Sequence, residues 1–117
     1  MGNKFWSKEE QDFFLKVIIP HSHYATGELD KLDGRMSFIE LAPVMQHAMR
    51  EIGETREYTK GVLFQHYYQW MARMRKQKRS FQWEDGAPTA AQRRQIREWR
   101  TDIAAGVYGK FIVLYFP

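Results

Sequence analysis

The chain has 117 residues and no cysteine, and 44% of its residues are hydrophobic and 15% aromatic. This length predicts one domain with at most a short appendage, and this hydrophobic content argues against wholesale disorder. The lack of cysteine excludes disulfides, thiolate metal sites and a cysteine nucleophile. Because no apolar run reaches the ~18 residues of a membrane span and no signal-peptide core is present, we expect a soluble intracellular protein.

Charge is unevenly distributed along the chain. The formal net charge is +4, but residues 1–54 carry six Lys/Arg and nine Asp/Glu, whereas residues 55–117 carry twelve and five. A basic half of this kind indicates a surface that faces a polyanion, although two ordinary solvated faces would give the same distribution.

The first predicted helix covers residues 8–19. Ser7 and Glu10 have the spacing of a capping box, in which each side chain accepts a hydrogen bond from the other residue's amide. Apolar residues recur at helical spacing over 13–18, and Pro20 is expected to end the helix. Residues 21–35 then form a loop that is long for a small helical bundle.

The second predicted helix opens at another capping box, Ser37 to Glu40, and runs to Gly53, a natural C-terminal stop. Pro43 interrupts this pattern because proline removes a helical hydrogen bond and clashes with the preceding turn. Either the helix is kinked at Pro43, or residues 37–42 form an irregular turn and the helix starts at Pro43.

Thr59 is positioned to cap a third helix over residues 60–79. Between Thr59 and Ser80 the sequence contains no acidic residue, and the helix ends in a dense run of Lys and Arg. The predicted inward face consists of Leu63, Tyr67, Trp70 (or Met71) and Met74.

A fourth helix is predicted over residues 90–105, after a linker and before Gly106. One of its sides carries a stripe of arginines, which is either a solvated face or a contact for phosphate or an acidic protein groove. The apolar tail that follows is expected to pack on this protein or on a partner. The candidate partner-binding residues are Arg93, Arg97, Arg100, Phe111, Val113 and Tyr115.

Three segments in order resemble the Myb/SANT family. Residues 6–14 (WSKEEQDFF) resemble the start of its first helix, residues 38–42 (FIELA) its second and residues 58–68 (YTKGVLFQHYY) its third. The resemblance covers residues 5–79 and departs from the family in the long first loop and in Pro43.

The resemblance implies an all-α, tri-helical, homeodomain-like bundle over residues 5–80. Residues 81–117 would add an extra C-terminal helix and a short apolar extension. The three core aromatics of the family would correspond to Trp6, Phe38 and Tyr67.

The function that the resemblance implies is that of a non-catalytic, nuclear DNA-binding protein acting in transcription, chromatin or mobile-DNA processes. A helix of about 20 residues is roughly 30 Å long and fits the ~12 Å major groove. Gln65 would read an adenine edge, Lys60 a guanine or a phosphate, and the basic run would contact the DNA backbone. The candidate DNA-binding residues are Lys60, Gly61, Phe64, Gln65, Tyr68, Arg73, Arg75, Lys76, Lys78 and Arg79.

A protein–protein adaptor of the SANT type, an accessory subunit of a larger nuclear complex, is the alternative. Phe64, expected on the exposed side, suits a protein contact better than a groove, and the triplet His66–Tyr67–Tyr68 is SANT-like. The lack of acidic residues on the third helix disfavours a basic histone tail as the ligand.

The remaining polar residues predict neither catalysis nor a bound cofactor or metal, and a small enzyme of unrecognised type is the weakest hypothesis. His21 and His23 have the spacing of half a metal site, but no cysteine completes it, so they are expected to be loop residues. His47 and His66 are expected on helix surfaces. No Gly-rich phosphate loop or nucleophile elbow is present.

Overall fold

The computed structural model describes residues 5–25, 34–76 and 90–107. In these ranges the protein is all-α, with four helices and no strand, which confirms the predicted class. Among the described residues, none of the helices combines the length and the hydropathy that crossing a bilayer requires. In chain order the helices are α1 (residues 8–21), α2 (Phe38–Glu51), α3 (Lys60–Lys76) and α4 (Ala90–Ala104).

Helix α1 consists of three consecutive segments, α-helical Lys8–Phe13, π-helical Phe14–Ile18 and α-helical Ile19–His21. The predicted capping box at its start is present. The predicted stop at Pro20 is wrong, because the helix includes Pro20 and ends at His21. The amide of Ile19 donates to the carbonyl of Phe14, five residues back. This wider turn lies directly before Pro20, where a regular α-helical turn would bring the proline ring against a carbonyl.

Helix α2 begins at Phe38 and runs without interruption to Glu51, so the interpretation that it starts at Pro43 is wrong. Ser37 and its capping box fix the first turn, and Pro43 lies exposed inside the helix. Gly53 ends the helix as predicted: with φ at 86° it lets its own amide donate to Arg50 and the next amide donate to Met49. This pair of bonds is a Schellman motif, which satisfies the last carbonyls of a helix.

The segment between α2 and α3 is held by a buried carboxylate of α1. Glu10 accepts hydrogen bonds from Arg56 Nε (2.7 Å) and from the Tyr58 hydroxyl (2.5 Å). On the other side, the amide group of Gln46 accepts from the Tyr58 amide (3.0 Å) and donates to the Arg56 carbonyl (3.4 Å). These contacts determine where the chain enters α3, which starts one residue after Thr59.

The hydrophobic core lies between α1, α2 and the first half of α3, with Leu63 as the innermost residue of α3. Helix α4 joins this core through Ile103, which is 4% exposed. Its Arg100 donates to the carbonyl of Pro20 at the end of α1 (2.5 Å). The C-terminal helix therefore packs on the same core as the first three helices, while the predicted boundary near residue 80 lies outside the described residues.

Candidate nucleic-acid interface

The orientation of α3 is set by three buried residues, Leu63, His66 and Trp70. Since consecutive residues are about 100° apart around an α-helix, the direction opposite to these three corresponds to Gly61, Gln65, Tyr68 and Ala72. All four of these residues are exposed. We call them the central face of α3.

The predicted inward face of α3 is confirmed for Leu63 and Trp70, which are buried. Tyr67 and Met74, also predicted inward, are half-buried. The expectation that His66 lies on the surface is wrong, since it is only 7% exposed. Its ring stacks on Trp6 with a centroid separation of 3.7 Å, and its Nε2 lies 2.6 Å from the side-chain oxygen of Gln11. His66 therefore ties α3 to α1.

Burial is the main reason that the pKa of His66 is lowered to about 4, and the nearby positive charge of Arg73 adds to the effect. The imidazole is thus neutral near pH 7. A neutral, stacked and hydrogen-bonded ring is a packing element, so His66 contributes to the position of α3 and not to its charge.

Four cations of α3 are exposed and flank the central face: Lys60, Arg73, Arg75 and Lys76. Arg73 and Arg75 lie about 160° apart around the helix axis, so they point to opposite sides of the central face. The sequence of α3 contains no Asp or Glu. Lys78 and Arg79, also predicted to bind DNA, lie outside the described residues.

An aromatic cluster supports one side of the central face. Tyr68 is 59% exposed, and its ring lies on that of Phe64 (centroids 6.1 Å apart, 18° between planes) and edge-on to Tyr67 (5.7 Å). The expected exposure of Phe64 is wrong: it is partly buried and packs edge-on against Phe38 (4.8 Å). Lys60 Nζ lies 5.8 Å from the Phe64 ring centre.

Tyr24, from the turn after α1, completes this cluster and packs on Tyr67 with ring centres 4.2 Å apart. Burial raises its pKa, and a side-chain hydrogen bond with Tyr68 adds to the rise. Tyr24 therefore joins the turn after α1 to the aromatic residues of α3.

Gly61 is not required by the fold. Thr59 caps the helix as predicted, its hydroxyl accepting from the Val62 amide at 3.2 Å. A Cβ at Gly61 would meet only the Thr59 hydroxyl oxygen, at an ordinary 3.8 Å. The missing side chain therefore opens space on the outside of the helix, where a ligand backbone or base can approach closely.

The arginines of α4 do not form the single exposed stripe that was predicted. Arg97 is exposed and Arg93 half-buried, but Arg100 is only 3% exposed and bonds to the carbonyl of Pro20. The expected solvent-facing position of Arg100 is therefore wrong, because this side of α4 lies against the end of α1. The tail residues Phe111, Val113 and Tyr115 lie outside the described residues.

The histidines outside α3 are not gathered into a site. His21 is fully buried at the end of α1, so its expected loop position is wrong. Its Nδ1 lies 2.6 Å from the Val17 carbonyl, and burial is the main reason that its pKa is lowered to about 4. His23 is exposed in the following turn, and His47 lies 3.9 Å from Glu51 on the surface of α2. In the part of the chain that the structure describes, no group of three or more His, Asp or Glu side chains is placed to hold a metal ion.

Sequence reasoning assigned Glu10 only a capping role, passed over Arg56 and used Tyr58 only as the first residue of the segment that resembles the third Myb/SANT helix. These residues have no helical periodicity with one another, because two of them stand in an irregular segment. The one signal in the sequence was an arginine and a tyrosine in a short connection otherwise rich in acidic residues.

Comparison with protein-family models, with curated proteins and with solved structures finds no match to this chain.

Proposed function

We propose that this chain is a non-catalytic DNA-binding protein that inserts α3 into the major groove. The observation that carries the proposal is the composition of the solvent side of α3, which has four exposed cations and no acidic residue. The Myb/SANT resemblance supports the same function and implies a nuclear role in transcription, chromatin or mobile-DNA processes.

The side chains of α3 point in the directions needed for the two kinds of contact that a protein makes in the major groove. Phosphate contacts provide affinity and orientation, while contacts to base edges provide sequence preference. Arg73 and Arg75 point to opposite sides of the helix, so each is directed to one of the two phosphate strands that border the groove. Gln65 and Gly61 lie between these directions, where the helix would face the base edges.

The position of α3 is held before any ligand arrives. The bonds of Glu10 to Arg56 and Tyr58 fix its N-terminal approach, and the stack of His66 on Trp6 fixes its rotation. A preorganised surface loses less conformational entropy on binding than a mobile one, which favours affinity.

The test is fluorescence anisotropy of a labelled mixed-sequence duplex, titrated with the full chain at about 50 and 200 mM salt. We expect saturable binding that weakens steeply with salt. A variant with Arg73, Arg75 and Lys76 changed to alanine should bind more weakly on all sequences, and its salt slope should be smaller by about three units, one for each lost phosphate contact.

A charge-matched control separates a local contact from a general effect of net charge. Lys8, Lys16 and Arg94 are exposed on other helices, and changing them to alanine removes the same three positive charges. This control should keep most of the affinity. Equal losses in both triple variants, or no binding by a folded wild-type sample at low salt, would contradict the proposal.

The exposure of Tyr68 favours the second candidate function, an adaptor that binds protein. A large aromatic side chain that is 59% exposed is typical of a protein contact as well as of a groove contact. An adaptor of this kind would bind its partner with little dependence on salt, and Tyr68→Ala would weaken that binding more than loss of the three cations would.

A further inference from the structure

We propose that the central face of α3 selects A·T base pairs, with Gln65 bound to an adenine edge and Tyr68 and Ala72 against the methyl groups of thymine. This inference rests on the proposed DNA-binding function and adds the class of target sequence to it. It depends on which side chains occupy the central face and on how Tyr68 is held.

The side chains of the central face match the chemistry of an A·T pair in the major groove. Adenine presents an acceptor and a donor that an amide such as that of Gln65 can bind together, and thymine presents a methyl group that favours apolar contact. Tyr68 and Ala72 are the apolar members of the face, one helical turn apart, and both are exposed.

Guanine is the base that this face is least suited to read. Its usual partner is Arg or Lys, bound to two acceptors. Over residues 60–72 of the described α3, the only cation is Lys60, about 110° around the axis from the middle of the central face. Lys60 is therefore directed to the side of the central face. Arg75 and Lys76 point within about 50° of its middle, but they lie a helical turn beyond Ala72, at the end of the face.

Tyr68 is restrained in the position that this contact needs. The ring of Phe64 lies nearly parallel to it with the centroids 6.1 Å apart, and Tyr67 packs edge-on to it at 5.7 Å. The side chain keeps 59% of its surface exposed, so its aromatic ring is open to a ligand. Restraint of an aromatic side chain before binding lowers the entropy lost in the complex.

The spacing along the helix agrees with the spacing of base pairs. Gln65 and Tyr68 are three residues apart, a rise of about 4.5 Å along the α-helix axis. Successive base pairs are about 3.4 Å apart. The two side chains therefore reach the same or adjacent pairs, and we expect the adenine and the thymine methyl group in one short A·T step.

The experiment is a selection from a random 20-bp duplex pool with the full chain, followed by binding measurements on the enriched duplex. The enriched sequences should share an A·T step. Replacing thymidine by deoxyuridine in that step removes only the methyl groups and should weaken binding about fourfold per contacted methyl, the factor for one buried methylene-sized group.

The variants assign this effect to residues. Tyr68→Ala should bring the affinity ratio of the thymidine and deoxyuridine duplexes towards one, and Gln65→Ala should remove the preference for adenine. Ile39→Ala is a matched control for Tyr68, since Ile39 is a large apolar side chain that is 61% exposed on α2, and it should leave the ratio unchanged.

The outcomes distinguish this inference from the function on which it rests. Salt-dependent DNA binding with enrichment of G·C steps, with no enriched sequence, or with equal affinity for the thymidine and deoxyuridine duplexes would overturn the A·T inference alone. A folded sample that binds no duplex at low salt would overturn both.

Discussion

Glu10 is a carboxylate with 2% of its surface exposed, and donors surround it. The Ser7 amide lies 2.9 Å from Oε1, while Arg56 Nε and the Tyr58 hydroxyl lie 2.7 and 2.5 Å from Oε2. Burial opposes ionisation, but the hydrogen bonds from Arg56 and Tyr58 outweigh it and lower the pKa of Glu10. The side chain is therefore ionised at neutral pH and joins α1 to the segment that leads into α3.

We predict that Glu10→Ala destabilises the protein by about 3 kcal/mol, because breaking a buried ion pair leaves its partners unsatisfied. Glu9 is the matched control, since it stands in the same first turn but is exposed. Glu9→Ala should change the free energy of unfolding by less than about 0.5 kcal/mol. Urea denaturation of the two variants checks this, and similar losses in both would contradict the role given to Glu10.

The two buried histidines predict that stability depends on pH. Burial lowers the pKa of His21 and of His66 to about 4, from an ordinary value of about 6.5. As the pH falls, the imidazoles are therefore protonated in the unfolded chain before they are protonated in the folded protein. Their contribution to the free energy of unfolding is complete above pH ~6.5 and decreases as the pH falls towards 4. The lowered pKa of Glu10 also makes stability decrease as the pH falls, over a lower pH range.

The urea midpoint should accordingly be lower at pH 5 than at pH 7. His66→Gln replaces the imidazole by a group that does not titrate and can still donate to Gln11. This variant should show a smaller difference between the two pH values than the wild type does. A wild-type midpoint that is the same at both would contradict the burial of the two imidazoles.

Sequence patterns located the buried stripe of α3 only approximately. Tyr67 was predicted inward and His66 outward, whereas the structure buries His66 and leaves Tyr67 half-buried. Neighbouring positions on a helix are about 100° apart, and a broad apolar stripe tolerates either choice. His66 is buried because its imidazole stacks on Trp6 and hydrogen-bonds to Gln11. Neither contact can be inferred from the spacing of residues within α3.

At the scale of the helices, the ends were predictable wherever a local signal marks them. Ser7, Ser37 and Thr59 cap their helices as predicted, and Gly53 and Gly106 end theirs with Schellman bonds. These motifs act over a few residues, so the sequence shows them directly. The sequence did not show whether a helix continues past Pro20 or Pro43, because this depends on the surrounding turns and packing.

We predict that changing glycine to alanine has opposite effects on stability at Gly53 and at Gly61. Gly53→Ala should destabilise by about 1 kcal/mol, because φ is 86° there and an L side chain disfavours this conformation even though a Cβ would meet nothing within 4 Å. Gly61→Ala should stabilise by about 0.5–1 kcal/mol, since Gly61 is helical and a Cβ has room.

Thermal unfolding of the two variants measures this difference. The midpoint should fall for Gly53→Ala and rise for Gly61→Ala. A rise for Gly53→Ala would contradict the Schellman ending of α2. If Gly61 also serves close approach to DNA, Gly61→Ala should weaken DNA binding while it stabilises the fold.

At the scale of the whole molecule, the four-helix content was predictable, but the placement of α4 was not. Its contact with α1 joins Arg100 to Pro20, two residues that are 80 positions apart. A local pattern showed that α4 has apolar and basic sides, and it did not show that one of the arginines is buried. The exposure of the candidate DNA-binding residues was more accessible to sequence reasoning, because Gln65, Tyr68, Arg73, Arg75 and Lys76 are exposed as expected.

We predict that α4 unfolds together with the rest of the protein. Ile103 is 4% exposed within the core, so Ile103→Ala should destabilise by about 2–5 kcal/mol through lost burial and the cavity left behind. Ile39→Ala, at a 61% exposed position, is the control and should have little effect. Denaturation followed by far-UV and near-UV circular dichroism should give coincident transitions, and a separate early transition of α4 would contradict a shared core.

The central claim, that the solvent side of α3 is the surface that meets DNA, is tested most directly by mapping amide shifts in ¹⁵N–¹H NMR spectra. A labelled full chain is titrated with an unlabelled mixed-sequence duplex at low salt. We expect the largest changes at amides of residues 60–76 and few changes over the buried side of α1 and α2. Changes concentrated on α4 or on the outer side of α2, with α3 unaffected, would show that DNA is bound elsewhere and contradict the account.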